Sequence, residues 1–157
     1  MHVSAKVDYA VRAVIELAGS SRQSPRRLRD IAEAQAIPLA YLADILTHLR
    51  SAGVVSSQRG SDGGYWLARP AEEVNLGSII RAVEGALLKV RGQVADEVEY
   101  VGSAVALREV WIAVRNMLEL VSVAGLAAGE LPDDLLVLTG GMKAPDGLPV
   151  HANSRSA

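Results

Sequence analysis

Two stretches of the chain carry side chains suited to gripping a polyanion. Arg59 stands directly before the glycine-rich run Gly60 to Gly64, where a tight turn would hold a guanidinium at its tip. Pro38 to Arg50 has helical spacing that turns Leu42, Ile45, Leu46 and Leu49 to one side and leaves Leu39, Ala40, Tyr41, Asp44, Thr47 and His48 on the front and outer face. A DNA major groove about 12 Å wide admits one such helix, and a neighbouring hairpin with a basic tip can reach phosphates or the minor groove. The chemistry on offer is recognition. The chain has no nucleophile elbow, phosphate loop, dinucleotide fingerprint or HExxH signature, and no catalysis is expected. It also has no cysteine, which excludes disulfides, thiolate nucleophiles and all-thiolate metal or iron-sulfur sites. His2, His48 and His151 are scattered without ligand spacing. No metal and no cofactor are expected.

The elements that must position these residues can be read from the apolar period. Val7, Ala10, Val11, Val14 and Ile15 recur at helical spacing opposite Asp8, Arg12 and Glu16, predicting a first helix that ends near Gly19. Ser24 reads as an N-cap with Pro25 at the first position of a second helix, whose stripe is Leu28, Ile31 and Ala32. The third helix spans about Pro38 to Ala52, closed by Gly53. The period then falls to two. Val54 to Gln58 and Tyr65 to Ala68 read as paired strands around the glycine-rich turn, stopped by Arg69 and Pro70. A short helix over Leu76, Ile79, Ile80 and Val83 follows, and 86–102 is less regular.

The longest periodic segment, Ser103 to Val123, repeats Leu107, Val110, Trp111, Val114, Met117, Leu118 and Val121 at threes and fours. A helix of about 20 residues is about 30 Å long, more than the small upstream unit can cover, so this stripe is expected to meet a second copy of the chain. From Pro132 no period remains, and 132–157 is expected to be a disordered tail. The fold class expected is therefore mainly α with a small β-hairpin: a winged helix-turn-helix over 1–85, then a loop and dimerisation helix over 86–131.

Charge divides along the same line. Residues 1–70 hold nine Lys and Arg against six Asp and Glu, while 71–157 hold seven against twelve. The basic half contains the proposed reading helix, and an anionic partner is expected there. The longest charge-free runs are ten residues, half of the roughly 20 that a membrane-spanning helix needs. A cytoplasmic location without membrane attachment is the expectation.

At this point whole motifs become recognisable. Val3-Ser4-Ala5-Lys6-x-x-Tyr9-Ala10-Val11-Arg12-Ala13, Ile31-Ala32-Glu33-x-Gln35-x-Ile37, Leu46-x-x-Leu49-Arg50-x-Ala52-Gly53-Val54-Val55, Arg59-Gly60-x-x-Gly63-Gly64-Tyr65-x-Leu67-Ala68-Arg69-Pro70 and Ile80-Arg81-Ala82-Val83-Glu84-Gly85 together resemble the Rrf-two family of bacterial repressors, which holds the regulators IscR, NsrR and CymR. The resemblance covers about 1–85 and continues more loosely to about 131. It implies a homodimeric winged-helix transcription factor, each subunit laying one reading helix in the major groove of a palindromic operator on double-stranded DNA. It also implies phosphate contacts by Ser4 and Lys6, base contacts by Leu39, Ala40, Tyr41, Ala43 and Asp44, and a minor-groove contact by Arg59. His48 and Arg50 complete the DNA-facing set, His48 as a groove-facing side chain.

The chain departs from the family in three places. The helix-turn-helix corner, often glycine in relatives, is Ala36, and a left-handed residue there would cost about 1–2 kcal/mol. Ala40 and Ala43 offer bases only apolar contact, suited to a thymine methyl, and Asp44 can only accept, as from a cytosine amino group. The cysteines that hold a cluster in cluster-sensing members are missing from the loop 88–105. Asp8, which aligns with a carboxylate ligand of some relatives, reads as a solvated helix-face residue. Without the cluster the chain is left as a constitutive repressor, a small-molecule sensor or a regulator modulated by a protein partner; for a small-molecule effector, Asp8, Tyr9 and Arg12 with Trp66 and Trp111 are the candidate pocket. The competing reading is a winged-helix module that docks a protein partner.

Overall fold

A computed structural model of the protein describes residues 3–139. The first helix, α1 (Ala5–Glu16), starts where Ser4 Oγ accepts the Val7 N–H at 3.2 Å, and it buries Val7, Ala10, Ala13 and Val14. The second, α2 (Leu28–Gln35), begins later than expected. Ser24 and Pro25 do not cap it, because Arg26 is drawn into an extended bridge with Tyr65, exchanging backbone hydrogen bonds of 2.9 and 2.8 Å. Gly64 makes that approach possible: a Cβ there would lie 2.5 Å from the Arg26 carbonyl oxygen.

The turn into α3 (Leu39–Ser51) passes through Ala36, which is left-handed at φ 50° and ψ 46°. The Ile37 N–H closes on the Ala32 carbonyl at 2.9 Å, so the surrounding bonds impose the conformation and alanine bears the strain. Strands β1 (Val55–Gln58) and β2 (Gly64–Leu67) pair antiparallel, with Ser56 opposite Trp66. Then α4 (Leu76–Glu84) is capped by Asn75, whose Oδ1 accepts the Ser78 N–H at 2.8 Å, and ends at left-handed Gly85.

The irregular stretch contains a miniature hairpin, β3 (Lys89–Val90) and β4 (Gln93–Val94), turned by Arg91 and Gly92, both at positive φ. Two successive positive φ values are the geometry of a type I′ turn. Two 3₁₀ turns (Ala95–Glu97 and Gly102–Ala104) lead into α5 (Ala106–Leu120), followed by α6 (Val123–Ala128) and α7 (Asp133–Leu138).

The single long helix expected over 103–123 is thus interrupted. The Val121 carbonyl accepts the Leu76 N–H at 2.9 Å and the Val123 N–H reaches the Val74 carbonyl at 2.8 Å, which pulls the chain into an extended link. Ser122 then caps α6 through the Gly125 N–H at 3.0 Å. Val121, expected on the dimer stripe, lies past the end of α5 and is 5% exposed within its own protomer. The segment expected to lack order includes the helix α7; 140–157 lie outside the described residues.

One apolar core joins α1 to α4, the wing and Val123, with Leu17, Ile31, Leu42, Ile45, Leu46, Leu49 and Ile79 fully buried. Replacing Ala36 by glycine should relieve the left-handed strain of about 1–2 kcal/mol and give back about 0.4–1 kcal/mol through the looser unfolded chain. A net gain of roughly 0.5–1 kcal/mol is expected from this difference, read as a raised midpoint in reversible urea unfolding.

Candidate nucleic-acid interface

The outward face of α3 carries Leu39, Ala40, Tyr41 and Asp44, all exposed, while Ala43 is half-buried. The four leucine and isoleucine side chains on the opposite face are fully buried, so the core holds the exposed face outward. Tyr41 stands edge-on to Tyr9, ring centroids 6.1 Å apart at 80°. Tyr9 in turn lies under the Arg12 guanidinium, 5.1 Å from the ring centre.

Asp44 does not stand alone. Lys6, in the first turn of α1, places Nζ 3.6 Å from Asp44 Oδ2 and 3.5 Å from His48 Nε2. His48 Nδ1 lies 2.9 Å from the Asp44 carbonyl oxygen. A ring with its proton on Nδ1 donates to that carbonyl and accepts from Lys6 at Nε2. The carboxylate is therefore oriented by a cation from another helix, and its acceptor direction is restricted.

Arg59 at the wing tip is exposed and has no hydrogen bond or ion pair among the described residues. The turn behind it is braced by Arg27, whose Nη2 donates to the Ser61 carbonyl at 2.9 Å. Arg50 Nη1 reaches Ser57 Oγ at 3.3 Å, tying the end of α3 to the wing. Ser4 caps α1 and donates its own hydroxyl to Glu84 Oε1 at 2.5 Å. Three exposed cations outside the expected DNA-facing set, Arg22, Arg29 and Arg69, are likewise without partners among the described residues. Only the charge asymmetry of the front half could have pointed to them.

The candidate effector residues do not form one pocket. Arg12 pairs with Asp8 at 3.0 Å and donates to the Gln35 carbonyl at 2.8 Å, so Asp8, Tyr9 and Arg12 buttress the helix-turn-helix corner. Trp66 borders a shallow depression at the wing base beside Arg22, Arg50 and Ser57. Trp111 lines a different cavity, between α5 and the winged body, and donates its indole N–H to Tyr100 Oη at 2.8 Å.

On α5 the expected stripe splits in two. Leu107 and Val110 are 42% and 49% exposed, with Val114 and Met117 half-buried. Trp111 and Leu118, seven residues apart and so on one face, line the cavity of their own protomer.

This arrangement meets known proteins along nearly its whole length. The Rrf2 family model, described as an iron-dependent transcriptional regulator, matches residues 3–127. The chain belongs to the Rrf2 family. It is 39% identical over 150 residues, 93% of each chain, to a protein of Mycobacterium tuberculosis (strain ATCC 25618 / H37Rv) named as an HTH-type transcriptional regulator, Rv1287. Among solved structures, CymR, the global cysteine regulator of B. subtilis, is similar at TM-score 0.63 and 30% identity, covering 82% of this chain and 97% of that one. IscR of T. potens is similar at TM-score 0.65 and 31% identity, covering 82% and 87%. As an Rrf2 member the chain is a winged-helix, DNA-binding transcriptional regulator.

Iron in the family's description requires a test against these residues. The chain has no cysteine, and among the described residues no three His, Asp or Glu side chains gather as a metal site. Iron-sulfur clusters are held by several thiolates. The residues of this Rrf2 member do not fit such a group. No helix among the described residues is long and apolar enough to cross a membrane.

Replacing Arg12 by leucine removes a charged bond to the Gln35 carbonyl and the support behind Tyr9. A loss of about 1–2 kcal/mol is expected, after discounting the exposed Asp8 pair, measurable as a lowered urea midpoint; an unchanged midpoint would show that the corner stands without it.

Proposed function

We propose that the protein is a homodimeric, sequence-specific repressor that works without an iron-sulfur cluster, each subunit placing α3 in successive major grooves of a palindromic operator. The observation that carries this reading is the exposed Leu39–Ala40–Tyr41–Asp44 face of α3 beside an unpaired Arg59 on the wing. Helix-turn-helix dimers bind half-sites about 34–36 Å apart, one turn of duplex. The apolar face of α5, Leu107, Val110, Val114 and Met117, supplies the dimer contact. Trp111 and Leu118 are half-buried and line the cavity of their own protomer, and Val121 is buried there.

Base reading falls to Leu39, Ala40, Tyr41, Ala43 and Asp44. Short apolar side chains suit thymine methyls, and a carboxylate acceptor suits the cytosine amino group. Arg59, Arg50 and the α1 terminus with Ser4 and Lys6 contact phosphate or the minor groove. His48 serves by holding Asp44 from within α3. Repression follows from occupancy of a promoter-proximal palindrome.

Selecting genomic fragments on the full-length protein, beginning with the region upstream of its own gene, should recover one palindrome. On that site the logarithm of affinity should fall with the logarithm of salt, by about 0.9 per phosphate contact. Arg59→Ala should weaken binding and make the slope shallower by about 0.9 per subunit. Equal affinity of the variant at every salt concentration removes the wing from the interface. Val110→Asp should yield monomers in sedimentation equilibrium and lower operator affinity by about 100-fold or more, since the two half-site contacts lose their linkage.

A further inference from the structure

The cavity between α5 and the winged body measures about 480 Å³, within the range of small-molecule sites. Its walls are largely apolar, built from Val7, Ile80, Leu87, Leu88, Trp111 and Leu118. Two charged residues, Glu84 and Lys89, both exposed, are among those that line it. They are not paired with each other: Lys89 has no hydrogen bond or ion pair among the described residues, and Glu84 accepts only from Ser4.

The carboxylate is also badly placed for the fold itself. Glu84 is the last residue of α4, where free carbonyls make the helix end negative and a cation is favoured. The basic residue of that last turn, Arg81, is taken by Glu119 at 2.6 Å. A positive group arriving at Glu84 would therefore meet a carboxylate and a helix C-terminus together, with Lys89 left for a negative group.

We propose that this cavity binds a small zwitterion with an apolar side chain, the chemistry of an apolar α-amino acid: its ammonium on Glu84, its carboxylate on Lys89 and its side chain against Trp111 and Leu118. The site touches the DNA-contacting end of the molecule through one residue. Ser4 donates to Glu84 and caps α1 through Val7, and Lys6, two positions on, reaches Asp44 and His48 of α3. The proposal does not depend on the operator reading, because occupancy of the cavity can be measured without DNA.

The test uses ¹⁵N-labelled full-length protein, whose two tryptophans give two indole signals, assigned with Trp66→Phe. L-leucine is the probe, with 3-methylbutylamine and 4-methylpentanoate as analogues that each lack one charge. Leucine should shift the Trp111 signal saturably and leave that of Trp66 in place, and each analogue should bind at least about tenfold more weakly. Glu84→Gln keeps an acceptor for Ser4 and should weaken leucine by about tenfold. Lys89→Gln, on an exposed strand, should do the same and serves if the first variant unfolds. No saturable shift with leucine, equal binding of an analogue, or wild-type affinity in a folded variant would overturn the proposal.

Discussion

The structure depends on how closely its first helix can be approached. Ala10 and Ala13 have no exposed surface at all, and α1 packs against α2, α3, α4 and α6. Small side chains at the centre of a helix let neighbouring backbones come near, and interiors packed at crystal density tolerate little added volume. The consequence is that one short helix fixes the relative positions of four others. Its N-terminal turn holds Ser4 and Lys6, its middle holds Asp8, Tyr9 and Arg12, and its end holds Glu16, which pairs with Arg26 and accepts from Gln35. Between them these side chains meet α2, α3 and α4, so any tilt of α1 moves the reading helix, the corner and the cavity together.

Local pattern made much of this legible in the sequence. The third helix, the wing and α4 lie where the period of apolar residues places them, because each turns apolar side chains into the core, and α4 is also bounded by Asn75 and Gly85. The errors have a common cause in long-range backbone pairing. Nothing near Ser24 and Pro25 signals that Arg26 will be held by Tyr65, and nothing near Val121 signals that Leu76 and Val74 will claim its backbone. Facing was harder still. Trp111 and Leu107 are four residues apart and looked alike on a stripe, yet one lines a cavity and the other is open. Spacing gives neighbours on a helix but not which of two surfaces will cover them. The Asp8–Arg12 pair was readable at its four-residue interval, whereas its role at the corner required the Gln35 carbonyl to be in place.

The segment that precedes α5 illustrates how a loop without cysteine can be anchored. Ala95 and Val98 are 1% exposed, the Arg91 guanidinium lies 5.8 Å from the centre of the Tyr100 ring, and Tyr100 accepts the indole N–H of Trp111. Two buried apolar anchors and an aromatic chain thus tie the hairpin to α5. Such contacts are individually weak and collectively sufficient.

The charge distribution sets how the reading helix can work. The only acidic residue on α3 is Asp44, and Lys6 of α1 lies 3.6 Å from it; with Arg50 as the helix's one Lys or Arg, α3 brings little net attraction to a phosphate backbone. Phosphate contacts position a protein on duplex and base contacts specify the site; here those two tasks fall on different elements. Affinity on the proposed operator then comes from Arg50 at the end of α3 and mostly from cations outside it: Lys6 on α1, Arg59 and Arg69 around the wing, Arg29 on α2 and Arg22 before it. Specificity is left to Leu39, Ala40, Tyr41 and one oriented carboxylate, a set able to count thymine methyls and to penalise a misplaced acceptor. A guanine-reading arginine, the commonest specific contact to DNA, is missing from the exposed front of α3. The target of this Rrf2 member should therefore be read through methyl groups and duplex shape, with salt setting how tightly and sequence setting where.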